Sequence, residues 1–129
     1  MQDSVFTKII NRELPSNIIY EDDMTIVIVP LETIAKGHVL AIPKAQVDQF
    51  FDLPPEEYQA LMLTVKKVSK QMKAVYQTKR VGIQVVGLDV PHAHVHIVAF
   101  DTLEEFYGVA GSGATDQAKL TELAQKLTN

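Results

Sequence analysis

The segment HAHVHIV at residues 92–98 places His92, His94 and His96 at every second position of an apolar run, in a chain with only four histidines. Near neutral pH an imidazole is a base, a metal ligand and a nucleophile, because its unperturbed pKa is about 6.5. Three chemistries are open to this spacing. In the first, one ring attacks phosphorus while another donates, and crowding helps because neighbouring imidazoles disfavour one another's charged form. In the second, a His-x-His pair holds a metal ion at about 2.0–2.1 Å. His92 and His96 would stand about 13 Å apart on a regular strand, so a three-ligand site has to recruit His38 or a carboxylate from elsewhere. In the third, the histidines are polar residues on a solvated sheet face.

Each of these needs an element that aims the rings together. Alternate side chains of a strand share a face, so His92, His94, His96, Val98 and Phe100 are expected on one side, spaced about 6.5–7 Å apart. Ala93, Val95, Ile97 and Ala99 fall on the other, which is uniformly apolar and fit to bury. The rest of the chain supplies partners for such a strand. Short β-rich runs at 18–20 and 25–29 flank an acidic turn at Glu21, Asp22 and Asp23, and GHVLAIPK (37–44) reads as a buried strand. A further strand is expected over 81–88, joined to 92–100 by Asp89, Val90 and Pro91 alone, which suits an antiparallel connection.

Helices complete the inventory. Phe6, Ile9 and Ile10 mark a short helix ending near Asn11. After DLPPEE, the stripe Tyr58, Leu61, Met62, Val65, Val68, Met72 and Val75 marks a long one over about 54–77. Leu120, Leu123, Ala124 and Leu127 mark a C-terminal one. The fold class is therefore α+β: an antiparallel sheet of about five strands with a long central helix, a short N-terminal helix and a C-terminal helix. Lys66, Lys67, Lys70 and Lys73 form a basic side of the long helix, read as a solvated face. Met62 and Met72 are read as core filler. Gly87 marks either a close approach of backbone to phosphate or a bend. The stretch GVAGSGATD, with GSG at 111–113, is read as a linker, since it lacks the ending of a phosphate loop.

At 129 residues the chain suits one domain, and 47% hydrophobic against 22% charged residues is ordinary for a globular protein. A net charge of −4 argues against nucleic acid as the partner. The absence of cysteine excludes disulfides and thiolate metal sites. With no signal-like start and no apolar run long enough for a membrane span, a cytoplasmic protein with no membrane partner is expected.

His-x-His-x-His followed by two apolar residues resembles the signature of the histidine triad family of nucleotide hydrolases and transferases. VFTKIINRELPSNIIYEDD (5–23) resembles that family's N-terminal segment, and KGHVLAIPK (36–44) its Gly-His-x-Leu-x-Ile-Pro-Lys block. All four histidines fall on family positions. The resemblance implies one histidine triad domain over 1–129, with a core of about 5–108 and a C-terminal helical extension over about 114–128. It implies His94 as a nucleophile toward an α-phosphorus, giving a nucleotidyl-imidazole that water resolves. His96 would contact the phosphate and assist the leaving group, while His92 and His38 orient the site. Phe6, Ile9, Ile28 and Leu31, with Val5 adjacent, fall where the family lines its base pocket, and Gln84 falls near a nucleotide-binding asparagine.

The expectation is thus a hydrolase releasing a nucleoside monophosphate from a purine nucleoside phosphoramidate or related phosphoanhydride, with no cofactor or metal, as a homodimer. A regulatory nucleotide-binding protein with little turnover and a metal-dependent hydrolase are the alternatives. Pro30 replaces the aspartate with which relatives hold the ribose, leaving Glu32 as the substitute, because a proline side chain accepts no hydrogen bond. Ser4 and Thr7 replace cysteines, and Gln46 a histidine, that bind zinc in some members.

Overall fold

The computed structural model describes residues 2–109 and 115–128. Five strands, β1 (Asn17–Glu21), β2 (Thr25–Val29), β3 (Gly37–Pro43), β4 (Arg80–Gln84) and β5 (Val95–Phe100), form one sheet in the order β1-β2-β3-β5-β4. Every pairing is antiparallel. Around it lie α1 (Val5–Ile10), α2 (Pro55–Tyr76), α3 (Leu103–Phe106) and α4 (Gln117–Thr128). This is the α+β architecture expected from the sequence.

The two sheet faces have different covers. Val27, Val39, Ala41, Val95, Ile97 and Ala99 pack beneath α2 and α4, in one cluster with Leu61, Val68, Met72, Leu120, Leu123 and Leu127. Ile26, Ile28, Leu40 and Ile42 face the other way and pack against Phe6 and Ile9 of α1. Buried on both faces, β2 and β3 read as continuous apolar runs instead of alternating ones. A register shift between Ile18 and Tyr20 lets Ile19 and Tyr20, neighbours in sequence, both pack on the α2 side while Ile18 stays against the α1 side.

Pro54 and Pro55 open α2, with Glu56 and Glu57 at its positive end, and Gln77 closes it in the left-handed conformation. Leu61, Val65, Val68, Met72 and Val75 are buried as the stripe predicted. Tyr58 is exposed, and Met62 only lies against the cluster's margin. Lys66, Lys67, Lys70 and Lys73 are all exposed. None of the described helices is long and apolar enough to cross a membrane. The GSG at 111–113 lies outside the described residues.

The strands around the histidines are shorter than the sequence predicts. β4 ends at Gln84 and β5 begins at Val95, so residues 85–94 form the connection in place of three residues. Gly87, at φ +72°, makes the bend and stands in open space, a backbone conformation that glycine adopts without strain. Pro91 brakes the approach to β5, because it cannot donate to a ladder. His92 and His94 therefore precede the strand, and only His96 obeys its alternation.

Candidate functional site

Register partners on a sheet share a face, so the pairings place Gln84, His96 and Leu40 in one row and Gly82, Val98 and His38 in the next. This face is covered by α1 at one end. Near the other end Gly82 leaves room for Phe106 of α3: a Cβ there would meet Phe106 Cε1 at 2.8 Å. A cavity of about 400 Å³ is lined by residues of both helices, Phe6 and Phe106, and by His38, His94 and His96.

Hydrogen bonds to the backbone fix the ring protons. The Ile34 N–H donates to His38 Nδ1 at 3.2 Å, so the His38 proton is on Nε2, from where it donates to His96 Nδ1 at 3.0 Å. That leaves His96 as the Nε2–H tautomer. His94 Nδ1 lies 2.8 Å from the His92 carbonyl oxygen, which only accepts, so the neutral His94 ring carries its proton on Nδ1 and its lone pair on Nε2. Among the described residues nothing hydrogen-bonds to Nε2 of His94 or of His96. The ring centroids of these two are 5.1 Å apart, closer than the strand repeat, and those of His38 and His96 are 5.3 Å apart.

His92 is not in that row. Its ring is fully buried, donating from Nε2 to the Pro43 carbonyl at 2.7 Å and accepting at Nδ1 from the Ser4 hydroxyl at 2.7 Å. Ser4 is also the N-cap of α1, accepting from the Thr7 N–H. Gln46 Oε1 accepts from the Ser4 N–H and the Thr7 hydroxyl. Ser4, Thr7, Gln46 and His92 thus form one hydrogen-bonded cluster. Among the described residues no three His, Asp or Glu side chains converge as metal ligands would.

Burial lowers the proton affinity of these rings. It holds His38 at about 4, with the His96 charge adding to the effect. His96 is lowered by burial and then by His94. His92 is lowered by burial although the Pro43 carbonyl opposes the shift. These three rings are neutral at pH 7.

The remaining expected residues divide. Phe6 and Gln84 line the cavity, and the Phe6 ring stands edge-on to His94 at 4.9 Å. Ile9 and Ile28 lie in the cluster beneath it. Leu31 and Val5 are exposed and are not among its lining residues. Glu32, next to Leu31, does line it. The sequence analysis singles out Gly87 of the 86–90 loop but not Leu40, Ile34 or the Phe106–Tyr107 pair. A signal for the last existed: Thr102 and Glu105 form a capping box that starts α3 and so places Phe106. A recess of about 410 Å³ between the β1–β2 turn and α2 contains no imidazole.

Comparison with known proteins agrees with this geometry. A family model described as HIT domain matches residues 11–103. A purine nucleoside phosphoramidase of Escherichia coli is 33% identical over 107 residues, covering 75% of this chain and 87% of that protein. An uncharacterized HIT-like protein of Borreliella burgdorferi is 30% identical over 105 residues, covering 76% of each. Among solved structures, a Hit-like protein from Bartonella henselae superimposes with a TM-score of 0.77 at 28% identity, over 97% of this chain and 94% of that one. A Zn-bound histidine triad family protein from Mycobacterium smegmatis shares the fold, with a TM-score of 0.80 at 21% identity, over 96% and 92%.

Proposed function

The chain belongs to the HIT family, and from that premise we propose that it hydrolyses purine nucleoside phosphoramidates to nucleoside monophosphates through a nucleotidyl-His94 intermediate. The observation that carries this reading is the His94 tautomer: the His92 carbonyl holds the Nδ1 proton, so an unprotonated Nε2 is left on a ring that lines the cavity. The 33% identical phosphoramidase supports the choice of substrate.

His94 Nε2 attacks the α-phosphorus of a phosphoramidate protonated on its nitrogen. The N–P bond to the ring forms, the P–N bond to the leaving group breaks, and a neutral amine departs with the proton it already carries. The positive charge created on the His94 ring is stabilised by its Nδ1–H bond to the His92 carbonyl. His96, fixed as a donor by His38, offers its Nε2–H to the phosphoryl oxygens as their charge builds. Water then attacks phosphorus, the ring recovers its lone pair, and one proton returns to solvent. Phe6 packs on the base, Glu32 accepts from the ribose hydroxyls in place of an aspartate, and Gln84 contacts the nucleotide. Self-association into a homodimer belongs to the same reading, supported by the outer edge of β4, unpaired among the described residues, where Ile83 is uncovered and Val85 just beyond the strand is too.

Adenosine phosphoramidate incubated with the protein in excess chelator is expected to yield AMP, with an adenylyl adduct on the His94 peptide in quenched samples. His94→Asn is expected to lower kcat by about 10³-fold or more while AMP still binds within a few-fold. Turnover retained by His94→Asn rules out this nucleophile, and activity lost to the chelator points to a metal-dependent reaction.

A further inference from the structure

Charge is unevenly divided along the chain. Between Tyr58 and Leu88 lie six of its twelve cations, Lys66, Lys67, Lys70, Lys73, Lys79 and Arg80, and none of its sixteen carboxylates. The rest of the chain, with six cations against sixteen carboxylates, is left at −10. All six cations of the stretch are exposed, and among the described residues none is ion-paired to a carboxylate. Helix electrostatics accounts for little of this. The negative end of α2 favours a cation in its last turn, which is Lys73. Lys66 and Lys70, four positions apart, and Lys67 and Lys70, three apart, are like-charged neighbours that weaken a helix instead of supporting it. Lys73 donates to the Thr78 carbonyl, and Lys67 stands 4.3 Å from the centre of the Tyr20 ring. Lys66, Lys70, Lys79 and Arg80 have no side-chain partner among the described residues.

The cations converge on the surface. Lys66, Lys70 and Lys73 share one stripe of α2, about 10 Å long, and Leu63 precedes them on it. A recess of about 300 Å³ is lined by Lys66, Lys67 and Lys70, and another of about 430 Å³ by Lys70, Lys73, Lys79 and Arg80. Lys70 belongs to both, so the two form one basic strip that runs from α2 onto the start of β4.

Composition narrows what can lie there. The other lining residues are Leu63, Ser69, Gln71 and Val81. No aromatic ring stands among them for a base to stack on, and one exposed large apolar residue, Leu63, is too little to enter a bilayer. A long duplex would run off the strip onto a chain of opposite net charge within a Debye length, about 8–10 Å. A short anionic segment stays on it. We infer that the strip binds a short, carboxylate-rich segment of another protein, with the lysines acting as point charges. This surface is independent of the phosphoramidase reading, because none of its residues lines the histidine cavity.

Fluorescence anisotropy of a labelled twelve-residue peptide alternating Glu and Ser tests this, beside the same peptide with Gln for Glu, a twelve-base-pair duplex, and phosphatidylglycerol–phosphatidylcholine vesicles. The Glu peptide is expected to bind the full chain on the order of tenfold more tightly than the Gln peptide at low salt, and to lose most of that advantage in about 0.3 M NaCl. Lys66→Gln combined with Lys70→Gln is expected to weaken binding of the Glu peptide about fivefold, the effect of losing two exposed charge pairs. Lys8→Gln combined with Lys126→Gln removes equal charge elsewhere and is expected to change it less than about twofold. Equal binding of the Glu and Gln peptides overturns the inference and leaves a solvated face. An equal loss in the two double variants overturns it too, since net charge and not the strip is then what the peptide reads. Tighter binding of the duplex or the vesicles than of the Glu peptide overturns the choice of partner, in favour of a phosphate backbone or a lipid surface.

Discussion

Each of the four imidazoles has a different job because each has a different pair of hydrogen-bond partners. His92 has both nitrogens satisfied inside the protein and cannot react. His94 has one committed and one bare, and His38 sets the proton of His96. This arrangement carries a pH signature. Below pH 6.5 the unfolded chain takes up a proton that folded His38 refuses until about pH 4. Stability is therefore complete above 6.5 and falls as pH is lowered toward 4, by roughly 3 kcal/mol from His38 alone. The lowered His92 and His96 add to the loss in the same direction. Urea midpoints measured from pH 7.5 to 4 should trace this decline, and His38→Gln should flatten it. A wild-type midpoint that does not move across that range contradicts the neutral buried ring.

The short helix α1 does more than its six residues suggest. Its N-cap Ser4 satisfies the Thr7 N–H and also holds the His92 tautomer, and so reaches the carbonyl that positions His94. Ser4→Ala removes a cap and leaves a buried imidazole nitrogen without its donor. The expected cost is about 1–2 kcal/mol, with kcat lowered several-fold. Ser4→Thr keeps the hydroxyl and should restore both, a comparison that thermal unfolding and steady-state kinetics make together. The connection into β5 is the other element that matters. Two strands with three residues between them were a fair reading of VGIQVVGL and HAHVHIVAF, since both are rich in β-branched residues. The ladder stops at Gln84, and the connection that follows holds two residues that a ladder accommodates poorly, Gly87 at a positive φ and Pro91 without a donor. Propensity cannot locate such a stop, whereas hydrogen-bond register does. The consequence is chemical: leaving the strand brings the His94 ring to 5.1 Å from that of His96 and buries His92 apart from both.

At the scale of the molecule the sheet separates stability from chemistry. The α2 and α4 face holds the larger apolar cluster, and the α1 and α3 face holds the cavity. Leu123 on α4 is fully buried in that larger cluster, so Leu123→Ala is expected to cost 2–5 kcal/mol, roughly the range for a buried leucine. Denaturant titration measures the cost, and kcat per folded molecule should stay unchanged, because α4 packs on the face away from the histidines. A drop in kcat per folded molecule would show that the two faces are coupled. Periodicity and spacing determined the types of the five strands and of α1, α2 and α4, the apolar faces and the segment that holds three of the four histidines, since burial imposes periods of 2 and 3.6 that a linear chain displays. The side chains that meet across elements were a different matter. That Ser4 holds His92, that His38 sets the proton of His96, and that Phe6 and Gln84 line the cavity while Leu31 does not were decided only by the fold. Such contacts join residues up to 88 positions apart, and no local pattern encodes which of many distant hydroxyls or carbonyls will arrive within 3 Å of a given ring nitrogen.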